Sequence, residues 1–390
     1  MTTYRIFPAT NGPGAPTAYA GPFLAGVQFG LKTQGLWFYG YYWWVPTGGD
    51  TGAQKFALWQ ITSGTPTTQL IPGSVVTSGV LTANTWNYVP LATPIQISPG
   101  AQYIACTGWT SVNGFPNTNN QFGAAMPFVN GITNGPLVAY SDGTAGGTNN
   151  GPYGQPQGLF SSTTGNDPSV NPPLAGSNSA NFWMDVSVST VPPAGYTGSY
   201  RLRANVYDLF FYSLDTANNF TLGLEFSLSQ PCAINNIWFY SPATVTQLPT
   251  SIGVFRVADQ ALIASNPAPS WSGAVASGWI KAALAGTLQA GVNYKIGVCN
   301  GAGVPAIWNG ASAQWWGTGF GSAGETAGPI TAPNNAGASP GQGSYNAGAL
   351  LTYPNTTVGP FDYGLDIEVT PMSLGQGASM RLTGDLTITG

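Results

Sequence analysis

LWFYGYYWWV, Leu36 to Val45, places seven aromatic rings in ten residues of a chain otherwise rich in Gly, Thr and Pro. In a β-strand, alternate side chains point to opposite faces. That puts Trp37, Tyr39, Tyr41 and Trp43 on one face and Phe38, Tyr42 and Trp44 on the other. A single sheet packed on one core needs rings on one side only, so something must cover the second face. Three readings are open for the surplus rings: more core, a surface for self-association, or a platform for a flat ligand such as a sugar.

The rest of the chain reads the same way. FALWQI (Phe56–Ile61), NYVPL (Asn87–Leu91), QYIACTGW (Gln102–Trp109) and NFWMDVSVS (Asn181–Ser189) are short and rich in β-branched or aromatic residues. So are IGVFRV (Ile252–Val257), NYKIGVC (Asn293–Cys299) and YGLDIEVT (Tyr363–Thr370). Each is bounded by turn residues. Helix signals are nearly absent, since Gly or Pro interrupts almost every candidate window. The best helical guess is a short piece over Ala282–Ala285. Many short strands between Gly/Pro turns predict an all-β sandwich or jelly roll.

Composition narrows the partners. The chain has 390 residues, 43% of them hydrophobic, enough for real cores, but only 6% charged. So few charges leave little to keep a free chain apart from its neighbours, which predicts burial of surface in an assembly. The formal net charge is −4 with nine Lys plus Arg and no basic run, so nucleic-acid binding has no electrostatic footing. No stretch reaches the roughly 18 apolar residues of a membrane span. MTTYRIFPATNGPG has neither the basic start nor the apolar run of a signal peptide, so ordinary secretion is not expected. Three cysteines, Cys106, Cys232 and Cys299, read as small buried hydrophobes. A Cys232–Cys299 bridge stays open.

Internal repeats organise the chain. Tyr4-Arg5-Ile6 returns as Tyr200-Arg201-Leu202, and Gly26-Val27-Gln28-Phe29 as Gly223-Leu224-Glu225-Phe226. Trp37-Phe38-Tyr39 returns verbatim as Trp238-Phe239-Tyr240. Phe56–Trp59 matches Ile252–Phe255, and Trp86 matches Trp279. Pro99–Tyr103 matches Ala290–Tyr294, and Met184–Val188 matches Leu365–Val369. Seven landmarks in one order predict two tandem β-sandwich, jelly-roll-like modules from an internal duplication. Their bounds are residues 1–193 and 199–371, with a stiff Pro-containing linker ending in 194–198. Residues 372–390 form a C-terminal extension whose end, Met380–Thr389, alternates well enough to be a docking strand.

These landmarks resemble a family of jelly-roll modules in bacterial extracellular proteins, often beside carbohydrate-binding or adhesive domains. The positions that carry the likeness are Gly26/Phe29, Trp37–Tyr39, Leu58/Trp59, Trp86/Val89 and Gly100/Tyr103. The opening TTYRIFPATNGP and the run WFYGYYWW look like minor tail or virion structural proteins of tailed bacteriophages of high-GC Gram-positive hosts. The resemblance implies assembly in the host cytoplasm, release by lysis, and other virion proteins as partners. A homo-oligomer is expected, with a trimer one arrangement suited to such spikes. It supplies no active site.

The residues themselves argue against catalysis. Without histidine, Ser-His-Asp and Cys-His machinery is excluded. No pair of the thirteen acidic residues is spaced to suggest paired acid/base work, so no catalytic residue, cofactor or metal is assigned. Asp362, Asp366 and Glu368 share one strand face at even spacing, a pattern open to calcium but better suited to a strand edge. Asp185 and Asp366 hold the same place in both modules, which predicts a shared turn or cross-strand hydrogen bond. The second module keeps Trp-Phe-Tyr but not the extension Tyr41-Tyr42-Trp43-Trp44, which is therefore the expected subunit interface. A glycan platform is the rival reading. It rests on the loop-borne Trp315 and Trp316, with Tyr345 and, in the matching stretch of the first module, Trp109, Phe115 and Phe122. That reading describes a carbohydrate-binding adhesin that touches host-envelope glycans.

Overall fold

The computed structural model describes residues 3–7, 23–32, 34–62, 67–99, 101–109, 131–139, 158–161, 167–176, 181–204, 213–215, 219–241, 248–273, 278–300, 306–308, 324–334, 342–357 and 363–372. Among them there is no helix. The first half runs β1 (Thr3–Tyr4), β2 (Phe23–Leu31), β3 (Leu36–Val45), β4 (Lys55–Thr62), β5 (Thr67–Leu70), β6 (Val76–Thr77) and β7 (Thr85–Ile97). It continues with β8 (Gln102–Trp109), β9 (Ile132–Asn134), β10 (Leu137–Ala139), β11 (Gly158–Ser161), β12 (Ala175–Gly176) and β13 (Met184–Ser189). The second half holds β14 (Ser213–Asp215), β15 (Phe220–Leu228), β16 (Cys232–Ser241), β17 (Ser251–Arg256), β18 (Leu262–Asn266), β19 (Ser272–Gly273) and β20 (Gly278–Leu288). Then come β21 (Asn293–Cys299), β22 (Ala306–Trp308), β23 (Glu325–Ala327), β24 (Ile330–Ala332), β25 (Ser344–Ala347), β26 (Thr356–Thr357) and β27 (Leu365–Pro371).

Each half forms a large and a small antiparallel sheet. In the first, β1-β13-β3-β7 make the small sheet, and β12-β11-β2-β8-β4-β5 make the spine of the large one. In the second, β27-β16-β20-β19 and β18-β17-β21-β15-β24-β23 do the same. The strand orders correspond: β2-β8-β4-β5 to β15-β21-β17-β18, and β13-β3-β7 to β27-β16-β20. The hairpin β9–β10 lies beside β2 as β23–β24 lies beside β15, and β11–β12 as β25–β26. One apolar core lies between the sheets of each half. Phe29, Phe38, Tyr41, Phe56, Tyr103 and Val186 fill the first. Phe226, Phe239, Val254, Ile280, Ile296 and Ile367 fill the second. A smaller cluster of Trp59, Ile61, Ile104, Cys106 and Leu159 covers the outer side of the first large sheet.

The segment Ala282–Ala285 is not helical. It lies in β20, where Ala282 and Leu284 are buried and Ala283 and Ala285 exposed, a period of two. Alternation there outweighs the helix propensity of Ala and Leu.

The opening stretch also departs from its expected faces. The ladder from β3 to β13 slips one residue at Tyr39, a β-bulge, and the ladder from β3 to β7 breaks register at the same place, Phe38 facing Ile95 and Gly40 facing Pro90. A bulge inserts one unpaired residue and reverses the alternation beyond it. Leu36, Phe38, Tyr41, Trp43 and Val45 therefore all face the core, and Tyr42 and Trp44 face outward, half-buried. Glycine is required beside the bulge, because a Cβ on Gly40 would lie 2.4 Å from the Val89 carbonyl oxygen.

The matching bulge of β16 falls at Asn235. Tyr42 opposite Asp185 thus corresponds to Trp238 opposite Asp366, and Trp44 opposite Trp86 to Tyr240 opposite Trp279. The verbatim Trp-Phe-Tyr match is out of register by five residues. Tyr41–Trp44 is the counterpart of Ile237–Tyr240, and Trp37–Tyr39 is the segment with no aromatic equivalent. Its counterpart is Ala233-Ile234-Asn235.

Candidate functional site: the joint between the two sandwiches

Each sandwich is closed by one buried carboxylate. Asp185 accepts from the Arg5 Nε at 3.0 Å and from the backbone N–H of Ile6, Phe7 and Val186 at 2.7, 3.1 and 2.7 Å. Asp366 accepts from the Arg201 Nε at 3.0 Å and from Leu202, Arg203 and Ile367 at 3.1, 2.9 and 2.8 Å. These bonds hold the opening segment of each half to its last strand, as the shared placement of the two aspartates predicts. Burial, the largest influence, pushes the Asp185 carboxyl up to about 6 against the pull of Arg5 and the three N–H groups. Asp366 is raised for the same reason. Both guanidinium groups also lie over rings: Arg5 over Tyr42 at 3.8 Å and Trp86 at 4.8 Å, Arg201 over Trp238 at 3.5 Å and Trp279 at 5.3 Å.

A second shared device is the glycine hairpin. Thr133-Asn134-Gly135-Pro136 and Thr326-Ala327-Gly328-Pro329 turn with φ of +58° at Gly135 and +55° at Gly328. A Cβ there would meet the ring of Tyr4 at 2.4 Å or of Tyr200 at 2.0 Å. Only glycine allows both the left-handed backbone and the ring contact.

Between the halves, the turn ahead of β3 meets the second sandwich. Gln34 forms a parallel bridge with Thr326, and the Gly35 N–H donates to the Thr326 carbonyl at 2.7 Å. Trp37 leaves the first core and packs edge-on against Tyr196 at 4.4 Å and Tyr200 at 6.3 Å, only 5% exposed within the second core. Polar contacts flank it. The Gln96 Nε2 donates to the Arg201 carbonyl at 3.2 Å, the Ser98 Oγ to that of Ala204 at 2.8 Å, and the Tyr39 hydroxyl to that of Val191 at 3.0 Å. Arg203, buried, pairs with Glu325 and also donates to the Pro99 carbonyl at 3.4 Å.

The second sandwich carries a further buried ion pair. Lys295 on β21 lies 3.5 Å from Glu225 on β15, both 1% exposed or less. The Gln342 side chain bonds the Glu225 backbone, accepting its N–H at 2.6 Å and donating to its carbonyl at 2.8 Å. Burial pulls the Lys295 ammonium down to about 8 against the attraction of Glu225. In the first sandwich the same two positions are Ile104 and Gln28.

The residues expected at a site are dispersed. Tyr41 and Trp43, expected at a subunit interface, are 0% and 4% exposed in their own core, because the bulge turns them inward. Tyr42 stacks between Arg5 and Tyr88, and Trp44 packs edge-on against Trp86. Tyr345 is no loop platform: it lies in β25, half-buried and edge-on to Phe220 at 5.3 Å. Trp109 ends β8, its side chain outside the described residues, as are Trp315, Trp316, Phe115, Phe122, Asp362 and Met380–Thr389. Asp366 and Glu368 do not present free oxygens to a cation. Asp366 is filled as above, and Glu368 accepts from Ser199, Asn236 and Trp238. Cys232 and Cys299 are free and buried, in different sheets, so no bridge joins them.

Trp37, Gly35, Arg203, Glu325 and Lys295 were not singled out by the sequence for these roles. The repeated TNGPL and TAGPI were the overlooked signal for the hairpins. No family model matches the chain, and no functionally described protein matches it.

Proposed function

We propose that the chain is a non-catalytic structural component of a bacteriophage particle, a minor tail, spike or decoration protein. In this reading residues 1–193 and 199–371 are jelly-roll-like sandwiches derived from one duplicated module. The matching strand orders, bulges, Arg–Asp closures and glycine hairpins support the duplication. The observation that carries the functional reading is the kind of side chain the two halves share. Tyr4/Tyr200, Arg5/Arg201, Asp185/Asp366 and Gly135/Gly328 all hold strand to strand. What is doubled is architecture. The Trp37 joint adds a fixed relation between the halves, as suits a part that bears load between neighbours.

The same proposal has the protein assemble in the host cytoplasm, pack against other virion proteins and its own copies, and leave by lysis. Residues 372–390 serve as a docking strand. The test is an electron-microscopy map of purified particles. Density for a two-sandwich unit at a tail or surface position is the expected result, and a purified particle lacking the chain refutes it. The rival, a carbohydrate-binding adhesin, predicts saturable binding of envelope glycans that is lost on Trp315→Ala or Trp316→Ala.

A further inference from the structure

The joint has an acceptor surface that exists twice, and one copy is filled. On the second sandwich, β23 and the ring of Tyr200 receive Gln34, Gly35 and Trp37. On the first sandwich the same elements are β9 and Tyr4. Thr133 stands where Thr326 stands, and Tyr4 lies over Gly135 as Tyr200 lies over Gly328. Among the described residues β9 pairs with β10 alone. Thr133 and Asn134 are exposed, and Tyr4 is only half-buried where Tyr200 is buried. An uncovered strand edge offers a row of backbone donors and acceptors to another chain, and no charged residue or proline stands within β9 to discourage it.

We infer that this edge, Ile132–Asn134 with Tyr4, is a docking site for another protein's β-sandwich. The partner presents a turn with a free glycine N–H followed two residues later by tryptophan. Continuity with the filled joint sets that chemistry: the Gly35 N–H donates to the Thr326 carbonyl and Trp37 covers Tyr200. The occupant is not a second copy of this chain. Its other donor turn has Gln230 in the place of Gln34, but Pro231 in that of Gly35 and Ala233 in that of Trp37. Proline has no N–H to give, and alanine cannot cover the tyrosine. The inference rests on the strand-for-strand correspondence of the two halves proposed above, but not on where the protein resides.

The test restores the missing donor. A full-length Pro231→Gly/Ala233→Trp variant is compared with wild type by sedimentation velocity. Because the contact joins two different surfaces, it repeats from copy to copy, into a ring or an open filament, instead of ending at a two-fold dimer. The variant is expected to form head-to-tail oligomers that grow with concentration. Thr133→Lys added to it should return the mass to that of wild type. A second measurement uses the unaltered chain and a labelled peptide, LKTQGLWFYG, of residues 31–40. Saturable binding that is lost on Tyr4→Ala and kept on Tyr200→Ala supports the site, including in the event that the double variant does not fold. A folded double variant with wild-type mass at every concentration overturns the inference, as does peptide that fails to bind. Wild type that self-associates and is dispersed by Thr133→Lys overturns it too, by making the occupant a second copy. Failure in these assays with the chain still present in particles sinks this site alone and leaves the proposed function standing.

Discussion

Lys295 and Glu225 stand where the first sandwich has Ile104 and Gln28, so the protein carries its own design for replacing a buried ion pair. Removing one partner strands a charge, whereas exchanging both for fitting neutral groups is often neutral or stabilising by about 1–4 kcal/mol. Glu225→Gln/Lys295→Ile should therefore be at least as stable as wild type at pH 7 by chemical denaturation. The Lys295 proton leaves the folded chain near pH 8, against an ordinary value of 10.5. Between those values the unfolded chain binds more protons, so wild-type stability rises with pH relative to the variant, by up to about 1.4 kcal/mol per unit. A gap that stays constant across that window would show that the ammonium is not destabilised by burial. Asp366→Ala should act in the opposite sense. It leaves Arg201 and three backbone N–H groups without their acceptor and should lower stability by about 3–5 kcal/mol, read from the denaturant midpoint. The role of Asp185 and Asp366 was legible because the same residue recurs in the same strand. The Lys295–Glu225 pair was not, since nothing in either strand signals which residue of a distant strand will face it.

At the scale of the element, most landmarks align in register because each is pinned by a partner on the next strand. Phe29 opposite Tyr103 and Phe226 opposite Tyr294 are one such match. Trp-Phe-Tyr misled because an aromatic-rich strand matches itself at more than one register, and a bulge leaves no mark in composition. Deleting Tyr39 tests the bulge. Without the extra residue, one half of β3 must turn its rings to the wrong face. The first sandwich should then lose cooperative unfolding, while Tyr39→Ala, which keeps the count, should fold with a modest loss measured by circular dichroism. A deletion variant as stable as the alanine variant would contradict the register. Ala282–Leu284 misled differently: good helix formers sat in a period-two pattern, and packing between the sheets decided for the strand.

For the whole molecule, the all-β class was readable from the short strands between Gly and Pro turns, but the contact of Trp37 with Tyr196 and Tyr200 was not. Trp37 looked like shared scaffold and is instead the ring that one half inserts against the other. A buried Trp→Ala change costs about 3–5 kcal/mol, here charged to the joint, since Trp37 packs with Tyr196 and Tyr200 and not in the first core. The central claim is that the two sandwiches behave as one body held at this joint. Scanning calorimetry of wild type against Trp37→Ala tests it most directly. One cooperative transition for wild type, split into two in the variant, is the predicted result. Two independent transitions in wild type, or a variant that still melts as one unit at the wild-type temperature, would contradict it.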